Sequence, residues 1–197
     1  MSLIENAKNP QSYFMTGLEE TIGPNELREL IEGTGIENEN QEESLPDQVI
    51  MVRQKMDEVY GKSGASGLAI CSGRAAFQHV LNQQSRQIGF EEDAFRFLPG
   101  RNKLKKGLRL LANWLEKENH ETIQMENSDG HWLLSVSDDR ESSECENART
   151  MCDFTAGLLQ EFMTWAGGGK YFRVTETDCR KNGANSCSIQ IDKKPIE

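Results

Sequence analysis

Apolar residues recur at helical spacing through most of the first 120 positions of the chain. Between Tyr13 and Gly35 the pattern predicts two short helices separated by Gly23-Pro24, because proline suits the first turn of a helix and glycine ends one. Further on, the same periodicity predicts helices over 45–60, about 65–88 and about 102–117. This part of the chain is therefore expected to be helical.

The pattern changes after position 120 to one typical of strands. Asp129-Gly130 lies between two extended runs, 121–126 and 131–136, which predicts a β-hairpin. A helix beginning near the capping box Ser143-x-x-Glu146 follows, and two more strands are predicted at 170–177 and 187–192. The sum is an α+β fold, with a helical layer packed on a small, mostly antiparallel four-stranded sheet.

A polar, acidic stretch at Glu37–Asp47 is the best candidate for a linker. We therefore divide the chain into an N-terminal helical appendage with its acidic linker, 1–44, and a main domain, 45–197.

The overall charge limits the kinds of partner. A formal net charge of −10 argues against a nucleic-acid-binding surface. The basic stretch Arg101–Arg109 could touch an anionic headgroup, but we interpret it as a solvated helix face. No apolar run is long enough for a transmembrane segment, and residues 1–10 do not resemble a secretory signal, so a cytoplasmic location is expected.

The spacing of the cysteines suggests a metal site. Glu176-x-x-Cys179 is followed by Cys187 across a turn-rich loop, so one carboxylate and two thiols can converge at a hairpin. Zinc takes four N, S or O ligands, and Cys152 is the candidate for the fourth. The alternative is that Cys152 is a small core residue and that Cys179 and Cys187 form a free or transiently oxidised pair.

The run from Gly169 to Ile189, GKYFRVTETDCRKNGANSCSI, resembles the signature of vinyl-4-reductase-type domains. These domains occur in bacteriochlorophyll-synthesis proteins and as the sensory part of phenol- and xylene-responsive activators, and they share a fold with trafficking-particle subunits. Gly67–Phe77 and Cys152-x4-Gly157 resemble helices of the same family.

The resemblance implies specific site residues. The matching positions imply a structural zinc held by Cys152, Glu176, Cys179 and Cys187. They also imply a ligand pocket that contains Trp132, although a core tryptophan on the sheet face is an equally good interpretation. The chain has no histidine near the place where the sensory members have one before that tryptophan.

The resulting hypothesis is a zinc-stapled binding module for a small hydrophobic molecule, aromatic or tetrapyrrole-like, which acts through a partner protein. The resemblance implies a homodimer formed through the long helices. The alternative is a non-enzymatic assembly or trafficking scaffold, for example in the biogenesis of a membrane or photosynthetic complex. No nucleotide-binding motif is visible, so the chain is expected not to be an enzyme.

Overall fold

The computed structural model describes residues 10–35, 45–119, 122–137 and 145–196. Its helices are α1 (Pro10–Ile22), α2 (Pro24–Glu32), α3 (Leu45–Ile88), α4 (Asp93–Arg96), α5 (Gly100–Asn119) and α6 (Cys145–Ala166). Its strands are β1 (Thr122–Asn127), β2 (His131–Ser137), β3 (Phe172–Asp178) and β4 (Cys187–Pro195). Most of the predicted linker and Ser143 of the capping box lie outside the described residues, and the domain division at 44/45 stays a prediction.

The four strands form one sheet in the order β1-β2-β4-β3, and every neighbouring pair is antiparallel. This confirms the predicted α+β class and the four-stranded antiparallel sheet. Along β2 the buried positions alternate, because side chains of a strand point to opposite faces in turn. Trp132, Leu134 and Val136 thus share the buried face of the sheet.

Helix α3 spans the two helices that the sequence predicts at 45–60 and 65–88. The two parts are joined at Gly61, whose φ of 70° and ψ of 162° are not helical. Residues with a side chain rarely adopt a positive φ, so glycine permits this bend at little steric cost. The predicted end at Gly61 is therefore a kink within a longer element.

Helices α3 and α6 pack with their backbones in close contact. A Cβ atom at Gly73 would lie 2.0 Å from the carbonyl oxygen of Phe154, and one at Gly157 would lie 2.0 Å from that of Ile70. Neither position can hold a side chain without moving a backbone. The two glycines thus fix how α6 lies on α3.

A single large apolar cluster joins α1, α2, α3, α5, α6 and the buried face of the sheet. Phe14 of α1 packs edge-on against Phe154 of α6, at a ring-centroid distance of 5.9 Å. The first two helices therefore share the core of the rest of the described chain. Within that part of the chain, no helix combines the length and the apolar character needed to cross a membrane.

Candidate metal centre

Two of the predicted ligands lie on either side of the loop that connects the two strands of a hairpin. Cys179 follows β3 directly, and Cys187 is the first residue of β4. Between them a short 3-10 turn, Arg180–Asn182, reverses the chain and is closed by a hydrogen bond from the amide of Asn182 to the carbonyl of Cys179. The hairpin therefore brings the two thiols together, as the spacing predicts.

The other two predicted ligands reach the same point from neighbouring elements. Glu176 lies on β3, and Cys152 lies on α6, which packs over the sheet. One ligand atom from each of Cys152, Glu176, Cys179 and Cys187 lies within 4.8 Å of the other three. We call these four residues the thiol cluster. A metal ion with bonds of about 2.3 Å to sulfur needs donors at such separations.

The thiol cluster is largely shielded from water. The side chains of Cys152, Cys179 and Cys187 are buried and form a small apolar group with Val136, apart from the main core. Within the described structure, Oε1 of Glu176 is buried and has no hydrogen-bond partner. A buried carboxylate oxygen without a partner is costly, and a cation at the centre of the cluster would satisfy it.

Two thiols of the cluster, those of Cys152 and Cys187, differ in acidity. Hydrogen bonds to Cys179 and Cys187, followed by burial, raise the pKa of Cys152 well above its usual value of 9.0. The hydrogen bond from Cys152, assisted by Arg180, lowers the pKa of Cys187 to about 5. Cys152 therefore holds a proton that a metal ion would have to displace, because a metal binds the thiolate.

Arg180 is a site residue that the sequence analysis missed. Its backbone amide donates a hydrogen bond to Sγ of Cys187 at 3.5 Å, and its guanidinium favours the charged form of that thiol. The signal was present, since Arg180 directly follows Cys179 at the start of the turn. Turn amides commonly point inward at clusters of sulfur ligands.

Trp132, the predicted ligand-contact residue, is not part of the thiol cluster. It lies on the same face of β2 as Val136, which pairs with Cys187, but four residues away, or roughly 13 Å along the strand. Its ring is 1% exposed and lies beneath the ammonium of Lys193, at 5.4 Å. Within the described residues its indole Nε1 is buried without a hydrogen-bond acceptor. Contact with a ligand stays a prediction.

Several solved structures match nearly the whole chain. An H-NOX protein from S. oneidensis in the Fe(II)NO ligation state has a TM-score of 0.62 and 14% identity, covering 94% of this chain and 98% of that one. The Fe(II) unliganded H-NOX protein from K. algicida has a TM-score of 0.60 and 11% identity, covering 95% and 96%. The chain has the H-NOX fold.

A third match is an oxygen-binding H-NOX domain related to soluble guanylate cyclases, with a TM-score of 0.56, 14% identity and 94% of each chain covered. No family model and no curated protein matches the sequence. At these identities, the comparison with H-NOX structures establishes the fold.

The identification as a vinyl-4-reductase-type domain is therefore wrong, because the solved structures that share the architecture are H-NOX proteins. Similarity to trafficking subunits is not shown. The motif from Gly169 to Ile189 describes a cysteine-bearing hairpin, and a local turn does not specify the whole fold.

The predicted cofactor, a structural zinc, is wrong on the same comparison. The matching H-NOX proteins from S. oneidensis and K. algicida are named with Fe(II), and another matching structure is named for haem redox potential and porphyrin distortion. The spacing of Cys152, Glu176, Cys179 and Cys187 predicts that the donors converge, which they do, but it does not identify an ion.

Proposed function

We propose that this chain is a sensor domain that binds a small ligand and acts through a partner protein, without a catalytic step of its own. Its fold is that of proteins whose names specify small ligands, oxygen and NO, and the cyclase-related member suggests an output through another protein. The thiol cluster is the site that best supports ligand binding in this chain. A homodimer stays a prediction.

The H-NOX fold implies haem, but the described residues of this chain do not fit it. Haem iron requires an axial ligand, most often histidine, in an interior pocket. Within the described residues, His79 and His131 are only half-buried, and His79 contacts Glu20 at 2.7 Å. The interior that would have to accept a porphyrin is occupied by apolar side chains from α1, α3, α5 and α6.

Contacts across this interior leave little separation between its walls. The ring of Tyr13 on α1 lies 6.1 Å from that of Trp114 on α5, between ring centroids. A Cβ at Gly107 of α5 would lie 2.4 Å from the ring of Phe162 on α6. Because α5 contacts both α1 and α6 directly, a porphyrin would have to separate well-packed helices.

The observation that carries the proposal is that the four donor atoms of the thiol cluster all lie within 4.8 Å of one another. Three sulfurs and one carboxylate oxygen match the preference of a thiophilic metal ion, since soft ligands select soft metals. A bound ion would link α6, β3 and β4 at one point. Gain or loss of that ion, or oxidation of the thiols that hold it, would change how α6 is held on the sheet.

The test is a titration of reduced, metal-free protein with Cd(II). Binding is monitored through the sulfur-to-metal charge-transfer absorption of the complex. We expect saturation at one ion per chain, and a large loss of affinity in Cys187→Ser. The matched control is Cys71→Ser, since Cys71 is an exposed cysteine on α3 outside the cluster. Haem is tested in parallel by adding hemin and measuring the Soret band.

The outcomes separate the possibilities. Binding by the parent and by Cys71→Ser, but not by Cys187→Ser, supports the thiol cluster as the ligand site. Cd(II) binding that is equal in all three proteins would reject it. A stoichiometric Soret complex would show that the interior opens for haem and that the described residues can hold it.

A small hydrophobic ligand near Trp132 is a second candidate. Trp132 Nε1 is a buried donor without an acceptor in the described structure, and a ligand with one acceptor atom would satisfy it. The test is native mass spectrometry of the purified protein and of Trp132→Phe. A small organic adduct that is present on the parent and absent from the variant is expected, and its absence from both would reject this candidate.

A further inference from the structure

The corner where α4 meets α5 carries a concentrated positive charge. Six of the 22 Lys and Arg residues lie between positions 96 and 109, a stretch without Asp or Glu, in a chain of net charge −10. We call these six residues the basic corner: Arg96, Arg101, Lys103, Lys105, Lys106 and Arg109. Within the described structure, none of them forms an ion pair with a carboxylate. An anionic surface would be attracted to this corner, although the net charge of the whole chain is negative.

Two aromatic side chains are exposed at this corner. Phe97, between α4 and α5, is 80% exposed, and Trp165, in the last turn of α6, is 41% exposed. Trp165 stacks on Phe95 with ring centroids 6.1 Å apart, and the ammonium of Lys103 lies 5.3 Å from the Phe95 centroid and 5.7 Å from that of Trp165. Lys103 thus lies directly beside the exposed ring of Trp165, and Phe97 is next to Arg96 in the chain.

We propose that the basic corner binds the surface of an anionic lipid bilayer. The cations would contact lipid phosphates, while Phe97 and Trp165 would enter the headgroup region, where amphipathic aromatic rings are favoured. Three of the six cations are lysines. Lysine is depleted from protein–protein interfaces, whereas Lys and Arg beside Trp and Phe are typical of surfaces that lie on membranes, which favours a lipid partner over an acidic protein.

The test is co-sedimentation of the full chain with phosphatidylcholine vesicles, with and without phosphatidylglycerol. We expect binding only to the anionic vesicles and weaker binding at high salt, because salt screens exposed charges. The double variant Arg101→Glu/Lys106→Glu should reduce binding by about tenfold or more, since it reverses two of the charges that would be attracted to the anionic lipids. Phe97→Ser should also weaken it.

The matched control is Arg28→Glu/Lys62→Glu, which changes the net charge equally at two exposed positions away from the basic corner. It should bind like the parent. Equal loss in both double variants would show a general charge effect and overturn the proposal, as would failure of the parent to sediment. Stronger binding to a single-stranded oligonucleotide than to anionic vesicles would also overturn it.

Trp165 supplies a readout at the site itself. Trp114 and Trp132 are 3% and 1% exposed, so quenching by brominated lipid will report mainly on Trp165. We expect quenching of the parent on anionic vesicles and its loss in Trp165→Phe. Sedimentation without any quenching would show that the corner is not the face in contact with the membrane.

Discussion

Gly157 on α6 lies against Ile70 on α3, so closely that a Cβ at Gly157 would be 2.0 Å from the carbonyl oxygen of Ile70. Cys152 lies five residues earlier on α6, about one and a half helical turns from this contact. The crossing of the two helices therefore sets the position at which Cys152 meets the cysteine hairpin. A site built from a helix and a hairpin thus depends on packing by residues that are not themselves ligands.

Gly157→Ala is expected to destabilise the protein by about 3 kcal/mol or more, because the added methyl group meets rigid backbone and the helices must move apart. The measurement is chemical unfolding followed by circular dichroism. Gly67→Ala is the control, since a Cβ at Gly67 has no neighbour within 4 Å. It should be neutral or stabilising by up to about 1 kcal/mol. Equal stabilities would contradict the close crossing.

The convergence of the thiol cluster could be predicted from the sequence, because a hairpin must bring Cys179 and Cys187 together and α6 must pack on the sheet. The kink at Gly61 and the burial of Trp132 are also consistent with local patterns. These features depend on short-range rules of turns and periodicity. They are the part of the structure that one sequence determines most directly.

The family and the ion could not be predicted in the same way. Hairpins with similar cysteine spacing can occur on different folds, so the resemblance at Gly169–Ile189 led to the wrong family. The aromatic surface at Phe97 and Trp165 was also missed. Their exposure depends on how α4, α5 and α6 meet, and an aromatic residue in a helical pattern is ordinarily assigned to the core.

Asp153→Ala is expected to cost about 2 kcal/mol of stability, less than the loss of a sole counter-ion, because Asp57 still pairs with Arg53. Asp153 and Arg53 are both buried, and the Nη2 of Arg53 donates to Oδ2 of Asp153 at 3.4 Å between α3 and α6. Asp153 is the more deeply buried of two carboxylates that pair with Arg53, the other being Asp57 at 3.5 Å from the same Nη2. Its removal leaves the buried guanidinium with the more exposed partner alone. The measurement is again the free energy of unfolding.

The control for this pair joins the same two helices. Arg74 and Glu161 form an ion pair at 3.3 Å, with side chains that are 45% and 33% exposed. Because solvent screens such pairs, Glu161→Ala should cost less than about 1 kcal/mol. A cost for Asp153→Ala no larger than that for Glu161→Ala would show that the buried pair is not a stabilising link.

Metal affinity at the thiol cluster is expected to fall as the pH falls. The raised pKa of Cys152 means that this thiol is protonated in the metal-free protein at neutral pH, and binding must release that proton. Each proton released weakens Cd(II) binding by about tenfold per pH unit. The measurement is the Cd(II) titration repeated between neutral and mildly acidic pH. An affinity independent of pH would mean that Cys152 is not a ligand.

Tyr60 makes part of the stability depend on alkaline pH. Burial, together with a hydrogen bond from its hydroxyl to Glu26 at 2.6 Å, raises the pKa of Tyr60 from 10.0 to about 12. The folded state therefore holds the proton more tightly than the unfolded state. The resulting stabilisation is fully present below pH 10 and is lost as the pH rises towards about 12.

Tyr60→Phe removes the hydroxyl, so unfolding at a series of alkaline pH values should show a smaller loss of stability than in the parent. The raised pKa of Tyr13 acts in both proteins and cancels in this comparison. Parallel curves for the parent and the variant would show that the bond between α2 and α3 has no such effect.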